Sequence, residues 1–276
     1  MKQLYVPREA PMNVVVFFSG GASSLRAMLE DPEYGKLYKV TGAYTDKKGA
    51  KGIELCDDSG IPVIKDISRR QFYIKHGLDP KEWDSRRIFY EMLGREIEQF
   101  DPDAIALSGY MHIVTDPILQ LPTLNVHPAD LTILESPGGA RVDATLMYPE
   151  EAAHKYPGFA RKFRGEDAVY DAINSGEKVT RSSVHITTEN FDEGPIVVQS
   201  KPFGIDPAVK ERVAEGNMEG VREYADSLQE RMKAEGDGPA YRTALGLLST
   251  GRLSREDRRL FVDDMELLYC GVRLDV

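Results

Sequence analysis

The chain has 276 residues, 41% of them hydrophobic, which suits one large domain with a sizeable core. Its formal charge of -10 excludes the usual nucleic-acid binder, which needs an excess of Lys and Arg to displace phosphate counterions. A local pocket of amides can still oppose that charge, so an anionic ligand stays open. Cys56 and Cys270 lie far apart with no metal spacing and read as reduced thiols. No apolar run approaches the roughly 18 residues of a membrane span, and Met1–Met12 lacks a signal-peptide core. The expectation is a cytoplasmic enzyme acting on small molecules, with no nucleic-acid or membrane partner; a homodimer is left open.

In chain order, Asn13–Ser19 is a β-branched and aromatic run, as in a strand buried on both faces. Small residues follow at Gly20, Gly21, Ala22, Ser23 and Ser24, and a helix begins at Leu25. Tyr38–Thr45 reads as a second strand, Ala50–Ser59 as a helix stopped by Gly60, and Ile61–Ile64 as a third strand. The pattern predicts a long helix over Asp84–Phe100 capped by Asp84 or Ser85. Ala104–Leu107 and Thr123–Val126 are two further strands. Strands alternating with helices predict an α/β fold: a Rossmann-like, mostly parallel sheet with helices on both faces. Val179–Thr187 and Pro195–Lys201 suggest a hairpin with a long loop. We expect a single domain over 1–276, with a core over 12–205 and a helical C-terminal portion over 206–276. Pro128–Arg164 is Pro- and Gly-rich without a clear period.

A strand, a small-residue loop and a helix start together aim backbone N–H groups at an anion. Gly20 and Gly21 are adjacent, so the loop is not G-x-G-x-x-G, and it lacks the Gly-Lys-Ser/Thr ending of a triphosphate loop. A monophosphate is the ligand it suits, although a tight turn alone would also select small residues.

Leu124–Pro128 (LNVHP) ends a predicted interior strand, where ligands of open α/β sheets bind. Asn125 and His127, two apart, share a face. An amide beside a titratable imidazole suits acyl transfer, because the amide holds a developing oxyanion and the imidazole moves a proton. A hydrogen-bonded polar pair at a strand end would look the same. His185, inside a predicted strand, reads either as a supporting residue or as a core histidine. Neither H-x-x-x-H nor H-E-x-x-H occurs, so no metal is expected, and no G-x-S-x-G proposes a serine hydrolase.

Taken in order, these pieces resemble the glycinamide ribonucleotide transformylase branch of the folate-dependent formyltransferases. The resemblance is carried by Val14–Leu25 (VVVFFSGGASSL), Gly60–Pro62, Asp84–Arg86, Leu107–Val114 (LSGYMHIV), Leu124–Pro128, Ser183–His185, Asn190–Val197 (NFDEGPIV) and Thr250–Leu253. It implies a formyltransferase fold and 10-formyltetrahydrofolate as co-substrate, with no metal. It implies transfer of the formyl group to the amine of a phosphorylated acceptor, with glycinamide ribonucleotide in purine biosynthesis as first choice. By the same resemblance Asn125, His127 and Asp192 are catalytic. Asp192 would orient His127 and raise its pKa, and Asn125 with protonated His127 would hold the oxyanion. Gly21, Ala22, Ser23 and Ser24 would bind the acceptor phosphate. Arg86, Met111, His112, Ile113, Val114, Thr188 and Phe191 would bind folate, and Glu230 and His185 are candidates for acceptor contact or support.

The chain departs from the family pattern at His112 and Ser24, where Arg and Asn are usual. It also carries extra sequence near Arg69–Trp83, at Ala129–Arg164, around Ala234–Tyr241 and after Asp263. The long segment after His127 is expected to form a lid over the acceptor. Rival readings are a formyltransferase acting on an aminosugar nucleotide or a methionyl-tRNA, a formyl-folate hydrolase, and a non-catalytic folate- or nucleotide-binding protein.

Overall fold

A computed structural model describes residues 1–275. The apolar runs form an eight-stranded sheet. Its strands are β1 (Met12–Phe18), β2 (Tyr38–Thr45), β3 (Val63–Ile64), β4 (Ala104–Leu107), β5 (Thr123–His127), β6 (Ser183–Ile186), β7 (Ile196–Gln199) and β8 (Val272–Arg273). The spatial order is β8-β7-β6-β5-β4-β1-β2-β3. Pairing is parallel from β5 to β3 and between β7 and β8, and antiparallel across the β5–β6 and β6–β7 pairs.

Alternation along β1 divides the core. Val14, Val16 and Phe18 pack with α1 (Ser23–Leu29), α2 (Gly52–Asp58) and the later helix Gly238–Ser249, while Val15 and Phe17 pack with α3 (Arg69–His76) and α4 (Trp83–Ile97). Both faces are therefore covered, which is why the strand reads as continuously apolar. Helix α4 begins at Trp83 behind Glu82, and no side chain caps it there, so neither Asp84 nor Ser85 is its cap. The extra sequence near Arg69–Trp83 includes α3.

The segment after His127 is ordered. Ile133–Glu135 pairs antiparallel with Arg141–Asp143 and with Ala160–Arg161, and α5 (Pro149–Lys155) lies between the last two. Then come α6 (Ala168–Asn174), α7 (Val209–Ala214) and α8 (Met218–Met232). A π-helical turn over Lys233–Asp237 leads into α9 (Gly238–Ser249). The helical character expected to continue to the C-terminus ends at Ser249. Beyond it, Leu253–Glu256, Arg259–Val262 and Met265–Glu266 pair antiparallel, and β8 joins the main sheet. The charged residues there, such as Arg255, Arg259 and Arg273, are half-buried in short strands, so charge density was a poor guide to helix. No helix among the described residues is long and apolar enough to cross a membrane.

Candidate active site

The β5–β6 register places His185 opposite Asn125 and Ser183 opposite His127. Leu124, Val184 and Ile186 pack into the core under α9, so the alternate residues Asn125, His127 and His185 share the opposite face. Asp192 comes from the loop between β6 and β7. That loop is closed tightly at Gly194, where a Cβ would lie 1.7 Å from the Ile186 carbonyl oxygen, so only glycine fits.

The loop delivers the Asp192 carboxylate between two imidazoles. Oδ2 lies 3.4 Å from His127 Nδ1, and Oδ1 lies 3.5 Å from His185 Nε2. Asn125 Nδ2 is 3.2 Å from the same His185 nitrogen, and His185 Nδ1 is 3.1 Å from the Ile186 carbonyl. All three charged or titratable side chains are buried. Burial pushes the Asp192 carboxyl up, but the His185 hydrogen bond, the attraction to the imidazole of His127 or His185 whenever one carries a proton, and the Gly165 N–H outweigh it. The net effect holds Asp192 well below the ordinary carboxylate range, and it is ionised at neutral pH.

The expected rise in the His127 pKa is reversed. Burial lowers it, Asp192 pulls it up, and His185 and Arg161 add to the lowering, so the net value falls below that of an ordinary histidine. His127 Nε2 is also occupied, at 2.8 Å from the Phe163 carbonyl oxygen. The resting ring is thus neutral, donating Nε2–H to Phe163 and turning the Nδ1 lone pair towards Asp192. A proton arriving at Nδ1 would at once gain a carboxylate partner.

These groups open onto a cleft of about 1000 Å³ at the carboxyl edge of the sheet. Its lining includes the whole Ser19–Ser24 loop, Asn125, His127 and Asp192. In the loop, Ala22 adopts the left-handed conformation at φ 53° and no side chain from the loop caps α1. Ser108, just past the neighbouring strand β4, takes that role, its hydroxyl accepting from Ser24 N–H at 3.1 Å and Leu25 N–H at 3.3 Å. The amides left for a ligand are those before Ser24. A Cβ added at Gly20 or Gly21 would meet nothing within 4 Å, so both residues border open space. Arg26, Lys47, Lys51, Lys233 and Arg242 add a basic lining in an otherwise acidic chain.

Residues 12–134 match the formyl transferase family model. That stretch of the chain is thus a formyl transferase domain. Phosphoribosylglycinamide formyltransferase of Escherichia coli (strain K12) is 26% identical over 194 residues, covering 69% of this chain and 72% of that protein. The solved phosphoribosylglycinamide formyltransferase of Coxiella burnetii has the same fold: TM-score 0.68 at 21% identity, covering 96% of this chain and 99% of that one. A formyltetrahydrofolate deformylase from Pseudomonas putida KT2440 shares the fold too, with TM-score 0.60 at 17% identity over 93% of this chain and 72% of that one. Fold likeness alone therefore leaves transfer and hydrolysis both open.

The residues singled out from the sequence fall into two groups. The cleft gathers Gly21, Ala22, Ser23, Ser24, Met111, Asn125, His127, Phe191, Asp192 and Glu230, with His185 directly behind Asn125. Met111 and Phe191 are about half exposed there, at 48% and 47%, and offer apolar faces to a flat ring. The others lie off the cleft. Arg86 donates to the Pro80 carbonyl at 2.8 Å, and Thr188 lines a separate depression beside α5. His112 binds Asp46 at 2.8 Å. Val114 is a core residue, so its side chain cannot line a pocket, and Ile113 is not among the cleft residues. Nor does any residue of 129–164 line the cleft, which removes the expected lid. The segment packs behind His127 and Asp192 instead.

Sequence reasoning missed Asp237, a buried carboxylate that lines the cleft from the π turn, with Oδ1 unpartnered. Such turns recur at functional sites but leave no clear sequence signal. It also missed Ser108, although the hydroxyl in Leu107–Ser108–Gly109 follows a strand beside the loop it caps.

Proposed function

We propose that this chain transfers the formyl group of 10-formyltetrahydrofolate to the amine of glycinamide ribonucleotide. The observation that carries the reading is the single cleft that joins a small-residue anion loop to Asn125, His127 and Asp192. A hydrolase needs the second set but has no use for the first. The acceptor phosphate would sit against the amides of Gly21–Ser23, drawn in by the basic lining. The donor's ring system would lie against Met111 and Phe191.

The amine nitrogen attacks the formyl carbon, a C–N bond forms, and the carbonyl oxygen gathers negative charge. Asn125 is the oxyanion donor. His127, with Nε2 committed to Phe163, serves as proton carrier: the proton lost by the amine goes to Nδ1, where Asp192 stabilises the imidazolium. Collapse of the oxyanion breaks the bond to N10 of the folate, and that nitrogen leaves with the proton that His127 Nδ1 took from the amine, which returns the ring to its neutral state. Glu230 and Asp237 are acceptor-side carboxylates for hydroxyl groups.

The test compares glycinamide ribonucleotide with its dephosphorylated nucleoside as acceptor. The reading expects kcat/KM to fall at least about 100-fold without the phosphate, the scale of two charge-assisted hydrogen bonds. Equal values for the two acceptors would refute it.

A further inference from the structure

Three residues just before α6 grip the catalytic pair from behind. Arg161 is 3% exposed, and its Nη1 donates to the Asp192 carbonyl oxygen at 2.6 Å. Gly165 N–H donates to Asp192 Oδ2 at 3.1 Å, and the Phe163 carbonyl accepts from His127 Nε2 at 2.8 Å. Neighbouring Arg164 holds Glu193, next to Asp192, at 2.9 Å. Asp192 itself has φ 53°, a left-handed conformation that a non-glycine residue keeps only when its surroundings enforce it.

Each grip is anchored elsewhere. The Phe163 side chain is buried among residues of α6, α7 and α8. Arg161 is fixed from the far side by Tyr269, whose hydroxyl accepts from Nε at 3.3 Å and whose ring centroid lies 5.3 Å from the guanidinium. Tyr269 N–H in turn bonds the Met147 carbonyl at 2.7 Å, which ties the C-terminal segment to the inserted one. Among the described residues Arg161 forms no ion pair within salt-bridge distance. A buried cation is costly without a carboxylate, and here it is spent on one carbonyl of the catalytic loop.

We propose that Arg161–Gly165 is a strap that positions the Asp192–His127 pair, with Arg161, locked by Tyr269, as the positioning residue. The proposal rests on the catalytic reading of Asp192 and His127 given above. Arg161 is not among the residues that line the cleft. It sets where the Asp192 backbone sits, and through Gly165 and Phe163 the same strap sets the carboxylate and the imidazole. The strap therefore acts on kcat and leaves binding of both substrates nearly unchanged.

The test uses the full chain with Arg161→Met, Arg161→Lys and Tyr269→Phe. Displacing a catalytic group by about 1 Å costs about 100-fold in rate, so Arg161→Met should lose about 10- to 100-fold in kcat while both KM values stay within about 3-fold. Arg161→Lys should recover part of that loss, and Tyr269→Phe should lose less than Arg161→Met. Independently of turnover, the buried His127 Nε2–H should give a slowly exchanging proton NMR signal that broadens or vanishes in Arg161→Met. If Arg161→Met does not fold, the other two variants carry both readouts. A folded Arg161→Met with unchanged kcat, a loss confined to KM, or an unaltered His127 signal would overturn the strap. Should the wild-type chain formylate no acceptor, the functional reading fails and the His127 signal alone judges the strap.

Discussion

The two sides of the Asp192–His127 pair are built by different means. In front, the loop at 20–24 and the end of β5 are short pieces of chain on the edge of a parallel sheet, held by strand register and the Ser108 cap. Behind, the inserted segment and the C-terminal segment hold Asp192 and His127 through contacts that span up to 108 positions in sequence, as between Arg161 and Tyr269. The front opens onto the cleft, whereas Arg161 and Tyr269 behind border only the separate depression beside α5. Changes in front should therefore separate into donor, acceptor and chemical effects, whereas changes behind should alter geometry alone.

The largest expected effect is at the point where both sides meet. Asp192→Asn keeps the shape but removes the charge that stabilises the His127 imidazolium, so kcat should fall by about 10²–10⁴-fold, the scale of general acid–base catalysis. Steady-state kinetics in a folded variant checks this, and a loss under 10-fold would remove Asp192 from the mechanism. Next comes Gly21→Leu. Its side chain would enter the open space before the loop, where a Cβ meets nothing, so the fold should survive while the acceptor KM rises by about 10-fold or more. An unchanged acceptor KM would place the phosphate elsewhere. Ser24→Ala should matter far less, because the Ser24 side chain is buried and its N–H already serves Ser108.

Asp237 offers a smaller effect with a definite sign. Burial pushes its carboxyl from 3.8 up to about 6, against a pull from Ser182 and Lys233. The folded protein therefore binds that proton more tightly than the unfolded chain does. Stability is fully present below about pH 4, declines as pH rises towards 6, and stays lower above it. Asp237→Asn should recover about 2–3 kcal/mol at pH 7.5 and almost nothing at pH 4, read from urea unfolding. A retained carboxylate with that cost points to use in the cleft, and a variant equally stable at both pH values would dismiss the shift.

The same contrast explains what could be read from the sequence. The strand Ala104–Leu107 was legible to the residue, because burial on both faces leaves a continuous apolar run, and so was Tyr38–Thr45, although Lys39 there is exposed. The candidate centre at Asn125 and His127 was legible because both lie on one strand, and Asp192 because it lies in a hairpin with a recognisable motif. Arg161, Phe163 and Gly165 were not. Two act through backbone groups, which any residue carries, and the third lies in a segment without period. Val114 and His112 show the converse failure. Adjacency to Met111 suggested a shared pocket, yet Val114 turns into the core and His112 turns to Asp46.

Transfer and hydrolysis differ in where the formyl carbon ends, and the fold permits either. The most direct measurement follows an isotopically labelled formyl group from 10-formyltetrahydrofolate in the presence of glycinamide ribonucleotide, using mass spectrometry. The account predicts the label on the acceptor amine with formate as a minor product. Label recovered as formate, with the acceptor unmodified, would contradict it.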